Sequence, residues 1–152
     1  MTVVLRGYSN ITPAYTWDGD WDNLDEGPFI YTPDGKADTV GCYLEAGLDP
    51  TVVYQYQEVQ STASQSGVFM RYFVRLLSEW YQEHYPDELY LVERMGLYEV
   101  PYGPTATRLL RGSLQKHRDE LKTVIPANAH GFLDRVIEIL GAAGDHGAFF
   151  AG

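Results

Sequence analysis

The chain holds a single cysteine, Cys42, among 152 residues. No intrachain disulfide can form, and no cysteine-based zinc site can be built. Cys42 has no basic or histidine neighbour in sequence, so it reads as a small buried hydrophobe rather than a reactive thiol. Long apolar runs are missing too. Nothing approaches the ~18 residues of a membrane span, and no apolar segment of the signal-peptide kind follows Met1. The expected location is the cytoplasm or an assembled particle such as a virion. Sequence motifs for catalysis are also lacking. There is no phosphate loop, dinucleotide glycine pattern, nucleophile elbow or histidine-rich zinc motif. No catalytic residue, metal or cofactor is assigned on this basis, and the chain is not expected to be an enzyme.

Basic residues are scarce where acidic ones are dense. Residues 1–60 carry ten Asp and Glu against Arg6 and Lys36, while residues 61–152 carry eleven acidic and nine basic side chains, for a net charge of -10. The first part is an anionic lobe and the second is nearly balanced. Such a field argues against direct nucleic-acid binding. It favours a basic protein partner or a cation, and it aids solubility.

What the chain does have is one dominant apolar stretch, from Ser66 to Tyr85. On a helical wheel Phe69, Tyr72, Phe73, Leu76, Leu77 and Trp80 share a face. Met70, Val74, Tyr81 and Tyr85 widen it to an arc of roughly 220°, beyond an ordinary amphipathic stripe. Ser64 or Ser66 can cap its start, Pro86 ends it, and Arg75 and Glu79 can pair at i, i+4 on the wet side. A helix this apolar needs cover from a sheet and from other helices. Its C-terminal end, with Trp80, Tyr81, His84 and Tyr85, is the part left open for a contact.

Around this helix the pattern predicts strands at Thr2–Tyr8, Ala14–Trp17 and Phe29–Tyr31, and a turn at Pro33-Asp34-Gly35. A short helix over Thr39–Ala46, capped by Asp38 and stopped by Gly47, and an alternating strand over Thr51–Gln60 follow. Glu88–Val100 is open between a short helix and a hairpin turning at Arg94-Met95-Gly96; its Tyr, Leu and Val content favours the hairpin. Thr105–Val124 is a second long helix with an inward stripe of Leu110, Leu114, His117, Leu121 and Val124, weakened by Gly112. Asn128 caps a third helix through Leu140, with Leu133, Val136, Ile137 and Leu140 inward and Gly141 at its end. Residues 142–152 form a tail bearing Phe149 and Phe150. The expectation is a single α+β domain over 1–152. Its short, mostly antiparallel N-terminal strands pack on the helix at 66–85, with two further C-terminal helices.

Several groups of residues stand out chemically. Asp18, Asp20 and Asp22 have the alternate spacing of a calcium loop, but Phe29 stands where the bidentate glutamate belongs. With Asp25 and Glu26, and with Trp17 and Trp21 alongside, they form a candidate docking surface for Arg or Lys; a solvated loop between two core tryptophans is the plainer reading. Arg108, Arg111, Arg118 and Lys122 line one side of the second long helix, a candidate contact for an anionic partner or a solvated face. Phe149 and Phe150 are expected as an exposed apolar contact. His84 and His117 fall on apolar helix faces, where a hydrogen-bonded core histidine is the commoner outcome than a general acid or base.

These features point to a non-enzymatic protein-interaction protein. The leading form is a structural or assembly subunit of a larger complex, such as a virion head or tail component, with acidic lobe meeting basic helix on another copy. The alternative is an acidic inhibitor, immunity or anti-defence protein whose bunched carboxylates imitate nucleic-acid phosphates and block a basic site. A third is a small ligand-binding domain or enzyme with an apolar pocket lined by Tyr54, Tyr56, Trp80 and His84.

Overall fold

The computed structural model describes residues 2–16, 27–30, 48–49, 51–61, 65–96 and 101–152. The expected Thr39–Ala46 helix, the Pro33-Asp34-Gly35 turn and Cys42 lie outside these residues, as does the acidic stretch with Trp17, Asp18, Asp20, Trp21, Asp22, Asp25 and Glu26.

The fold is α+β, with small antiparallel sheets and four helices among the described residues. In chain order these are β1 (Thr2–Val3), β2 (Leu5–Ser9), β3 (Thr12–Thr16), β4 (Phe29–Ile30), β5 (Val52–Gln55), β6 (Glu58–Ser61), β7 (Gln65–Ser66), α1 (Gly67–His84), α2 (Leu89–Glu93), α3 (Pro104–Val124), α4 (His130–Ala143) and β8 (Ala148–Ala151). Single 3-10 turns at Pro86–Glu88 and Arg94–Gly96 flank α2, and another at Ala127–Ala129 leads into α4. The strands order as β6-β2-β8, β3-β5-β4 and the pair β1-β7.

Helix α1 is the long central helix. Ser66 caps it, its Oγ accepting the N–H of Phe69 at 3.1 Å, which satisfies one of the free donors of the first turn. Met70, Phe73, Val74, Leu77, Trp80 and Tyr81 are buried, while Phe69, Leu76 and Tyr85 are half-buried. Tyr72, placed on the inner face by the wheel, is 43% exposed, with the Arg75 guanidinium 5.3 Å from its ring. The buried arc is thus narrower than the apolar one. An aromatic ring carrying a hydroxyl tolerates the rim of a core because one end is content in water.

The expected single strand over Thr51–Gln60 is instead two strands in different sheets. The chain breaks at Tyr56 and Gln57, whose N–H groups turn to the carbonyls of Pro28 and Ser9, both at 2.9 Å. The N-terminal strand is divided as well: β1 pairs with β7, and β2 pairs with β6 and β8. Asn10 makes the following turn at φ 48°, a conformation asparagine tolerates better than most residues.

Two further expectations are corrected. Residues 88–96 are helical, not the first arm of a hairpin. Leu91, Val92 and Met95 are buried together, a helical spacing, and the Tyr102 hydroxyl donates to the Leu91 carbonyl. Strand propensity lost to tertiary packing here. The C-terminal segment is no exposed tail. Strand β8 pairs along β2, and Phe149 is fully buried with Phe150 half-buried. Phe149 exchanges backbone hydrogen bonds with Tyr102, at 2.7 and 3.0 Å, and Gly152 does so with Val4, at 2.8 and 3.0 Å. An antiparallel edge with unpaired N–H and C=O groups is a liability that these pairings remove.

The sheet meets the helices through α4. Gly7 of β2 sits so close that a Cβ there would lie 2.6 Å from the Ile139 carbonyl oxygen. Phe132, Leu133, Val136, Ile139, Leu140 and Ala143 are buried along α4, with Ile137 only half-buried. Asn128 falls in the preceding 3-10 turn and caps nothing, and Gly144, at φ 72°, stops the helix in place of Gly141. Val3, Leu5 and Phe149 from the strands join α1, α3 and α4 in one core, while Ile30, Leu48, Tyr54 and Ala148 form a second, smaller cluster.

Candidate functional site

The C-terminal turns of α1 and α3 meet at the surface. Between them lies an open groove of about 540 Å³, lined by Leu76, Glu79, Trp80, Glu83 and His84 from α1 and by Glu120, Thr123 and Val124 from α3. Its size falls within the range of ligand and side-chain pockets. Val124 was expected to face inward; it is 41% exposed and lines this groove.

The electrostatics of the groove are one-sided. Glu79 is within 3.8 Å of Arg75, both side chains about two-thirds exposed, so the pair is weak. Glu83 and Glu120 have no cationic partner among the described residues. Two helix C-termini add their partial negative charge, since the last carbonyls of each helix have no intrahelical donor. The result is a concave, partly apolar surface of negative potential that attracts cations.

Beneath it sits an aromatic cluster. Trp80 is almost fully buried and contacts Tyr81, His84, Tyr85 and His117 at ring-centroid distances of 5.2, 4.8, 5.6 and 5.2 Å. The His84 ring lies nearly parallel to the indole, at 17°, and its Nδ1 is 2.9 Å from the Trp80 carbonyl oxygen. A carbonyl only accepts, so Nδ1 carries the hydrogen of this bond. His117 is buried against Tyr85 at 4.1 Å. Its Nε2 lies 3.5 Å from Glu88 Oε2, without making a hydrogen bond. The Tyr81 hydroxyl and Ser113 Oγ share a buried hydrogen bond of 2.6 Å. Burial foremost, and the Glu88 charge to a lesser degree, push the Tyr81 phenol up to about 12, against the lowering effect of the Ser113 bond. Both histidines were expected on apolar faces: His117 is buried there, while His84 is exposed at the groove.

The basic side of α3 is largely engaged within the chain. Arg111 bonds Asp145 at 2.9 Å, and Arg118 and Lys122 grip the two oxygens of Asp134 at 2.6 and 2.8 Å. Those bonds, Arg118's first, hold the Asp134 carboxyl at about 2, and Arg111 lowers that of Asp145. Arg108 is exposed. Phe149 is core and Phe150 is half-buried, so neither is a free apolar contact. Tyr54 and Tyr56 belong to the smaller cluster, with the Tyr54 hydroxyl accepting the Asp49 N–H at 2.8 Å; of the four expected pocket residues only Trp80 and His84 line the groove.

Sequence reading singled out the end of α1 but missed Glu79, Glu83, Glu120, Thr123 and Val124 as parts of one site. The local signal was Glu79 and Glu83 at i, i+4 interleaved with Trp80 and His84. The second wall, forty residues on, has no such signal. Among the described residues no cluster of His, Cys, Asp and Glu could hold a metal ion, and no helix is long and apolar enough to cross a membrane. Compared with protein-family models, with curated proteins and with solved structures, the chain matches none.

Proposed function

We propose that this is a protein-interaction protein that docks a basic partner through the groove between the C-termini of α1 and α3. The observation that carries this reading is the convergence of Glu79, Glu83 and Glu120 on a concavity floored by Leu76, Trp80 and Val124. Apolar floor and charged rim are the anatomy of a specific contact, and the overall charge of -10 steers a basic partner toward it. Both forms of the interaction reading, a subunit of a larger assembly and an acidic inhibitor of a basic site, use such a surface. The internal pairing of Arg111, Arg118 and Lys122 favours a partner other than a second copy, because it leaves little free basic surface on α3 to receive an acidic lobe.

The test is a comparison of wild type with the charge-reversed variant E79K/E83K/E120K, all three positions being exposed. Proteins retained on immobilised wild type from its native source should be lost on the variant and in about 0.5 M salt, which screens exposed charge pairs. Retention of the same proteins by both would overturn the proposal. Light scattering on the purified chain separates its two forms: a monomer fits the inhibitor, a ring or filament the assembly subunit.

A further inference from the structure

The polar groups that line the groove share a property beyond their charge. The carboxylates of Glu79, Glu83 and Glu120 only accept hydrogen bonds. Thr123 has its hydroxyl hydrogen committed to the Glu120 carbonyl, at 2.6 Å, so that hydroxyl offers only lone pairs. His84 has its Nδ1 hydrogen committed to the Trp80 carbonyl, at 2.9 Å, so Nδ1 offers the groove no donor. The carboxylates and the Thr123 hydroxyl, which with His84 and the Trp80 indole make up the polar lining, thus offer acceptors. Its complement is a cation that brings many donors at once.

Resting on the docking reading above, we infer that the groove is selective for arginine over lysine, and that its occupant is an arginine-bearing peptide segment of a protein partner. Arginine presents five N–H donors in a rigid plane, whereas lysine presents three on a strongly hydrated point charge. The flat surface such a plane needs is also present. The His84 imidazole is stacked on the Trp80 indole at 4.8 Å and held there by its own hydrogen bond. A guanidinium stacks on such rings and loses less hydration in doing so than an ammonium. The acceptors come from two helices, Glu83 from α1 and Glu120 from α3, and a planar fork presents donors along several edges at once, which a single ammonium does less well.

Binding of three capped peptides to the full-length chain tests this by calorimetry. The peptides have the same length and carry arginine, lysine or the neutral isostere citrulline at the same positions. The arginine peptide should bind one-to-one and about fivefold more tightly than the lysine peptide, with citrulline below detection. His84→Ala should erase the preference for arginine while leaving weak binding of both cationic peptides. E83Q/E120Q should abolish binding of both, and Glu58→Gln, on strand β6, should change nothing. Equal affinity for arginine and lysine peptides would overturn the selectivity and leave the docking reading intact. No binding by any peptide, with partners still lost on charge reversal, would overturn the inference alone. No binding by any peptide and partners still retained would overturn both. Free arginine amide binding as tightly as the peptide would also overturn the inference, since a peptide segment would then contribute nothing.

Discussion

The imidazole of His117 lies against the ring of Tyr85, centroid to centroid 4.1 Å, with its Nε2 3.5 Å from Glu88 Oε2. One buried residue of α3 thus fixes both the last turn of α1 and the 3-10 turn after it. Because Nε2 makes no hydrogen bond, the contact is chiefly one of packing. His117→Ala should cost about 2–4 kcal/mol, by analogy with other large-to-small core changes. His117→Leu should recover most of that, because it refills the volume and removes an unsatisfied polar atom. Urea denaturation of the two variants decides; equal losses would show that the imidazole's polarity, not its volume, holds the site together.

Tyr81 and Ser113 form a second tie between the same helices. Tyr81→Phe leaves the Ser113 hydroxyl buried without its partner, and Ser113→Ala does the same to the phenol. Each should cost about 1–3 kcal/mol, and the double variant should cost clearly less than the sum. The phenol also sets a limit at high pH. Its folded pKa, about 12, stands above the ordinary 10.0, so between these values the unfolded state holds fewer protons. Stability from this group is complete below about pH 10 and is lost as pH rises towards 12. Tyr81→Phe should flatten that alkaline decline in denaturant melts taken across the range.

Asp134 works at the opposite end of the scale. Its folded pKa, about 2, lies below the ordinary 3.8. Its stabilising contribution is therefore present above about pH 4 and is lost as pH falls towards 2. The carboxylate is 40% exposed, so solvent screening keeps the gain below about 1 kcal/mol. Asp134→Asn should be slightly less stable at neutral pH and should lose less stability on acidification than wild type. Parallel acid slopes for the two proteins would contradict this.

Two glycines should respond in opposite directions to alanine. Gly112 lies within α3, and a Cβ there meets nothing within 4 Å. Gly112→Ala should stabilise by about 0.5–1 kcal/mol, since glycine loses more backbone freedom on folding. A calorimetric rise of about 1–4 °C in Tm would correspond to that gain. Gly7→Ala, by contrast, must push β2 off the Ile139 carbonyl and should destabilise by about 1–3 kcal/mol. A neutral Gly7→Ala would show that the contact between β2 and α4 yields without cost.

The sequence by itself determined the three long helices and the α+β class. Periodic apolar residues over two or more turns are a local signal, and Ser66 and Pro86 mark ends that capping and sterics enforce. Of the residues at the end of α1 that it singled out as open, only His84 is exposed; Trp80 and Tyr81 are buried and Tyr85 is half-buried. What only the tertiary structure decided was anything that depends on a partner distant in the chain. Residues 88–96 read as strand until Tyr102 and the core claimed Leu91, Val92 and Met95. Phe149 read as a loose end until β2 and Tyr102 supplied its backbone partners. Arg111, Arg118 and Lys122 read as a free basic face until Asp134 and Asp145 came within reach. The groove has the same origin. Its two walls lie about forty residues apart in the chain, and no local pattern encodes that Glu83 and Glu120 will face one cavity. Hydrophobic periodicity is written residue by residue, but the pairing of charges and of strand edges is settled only when packing brings their elements together.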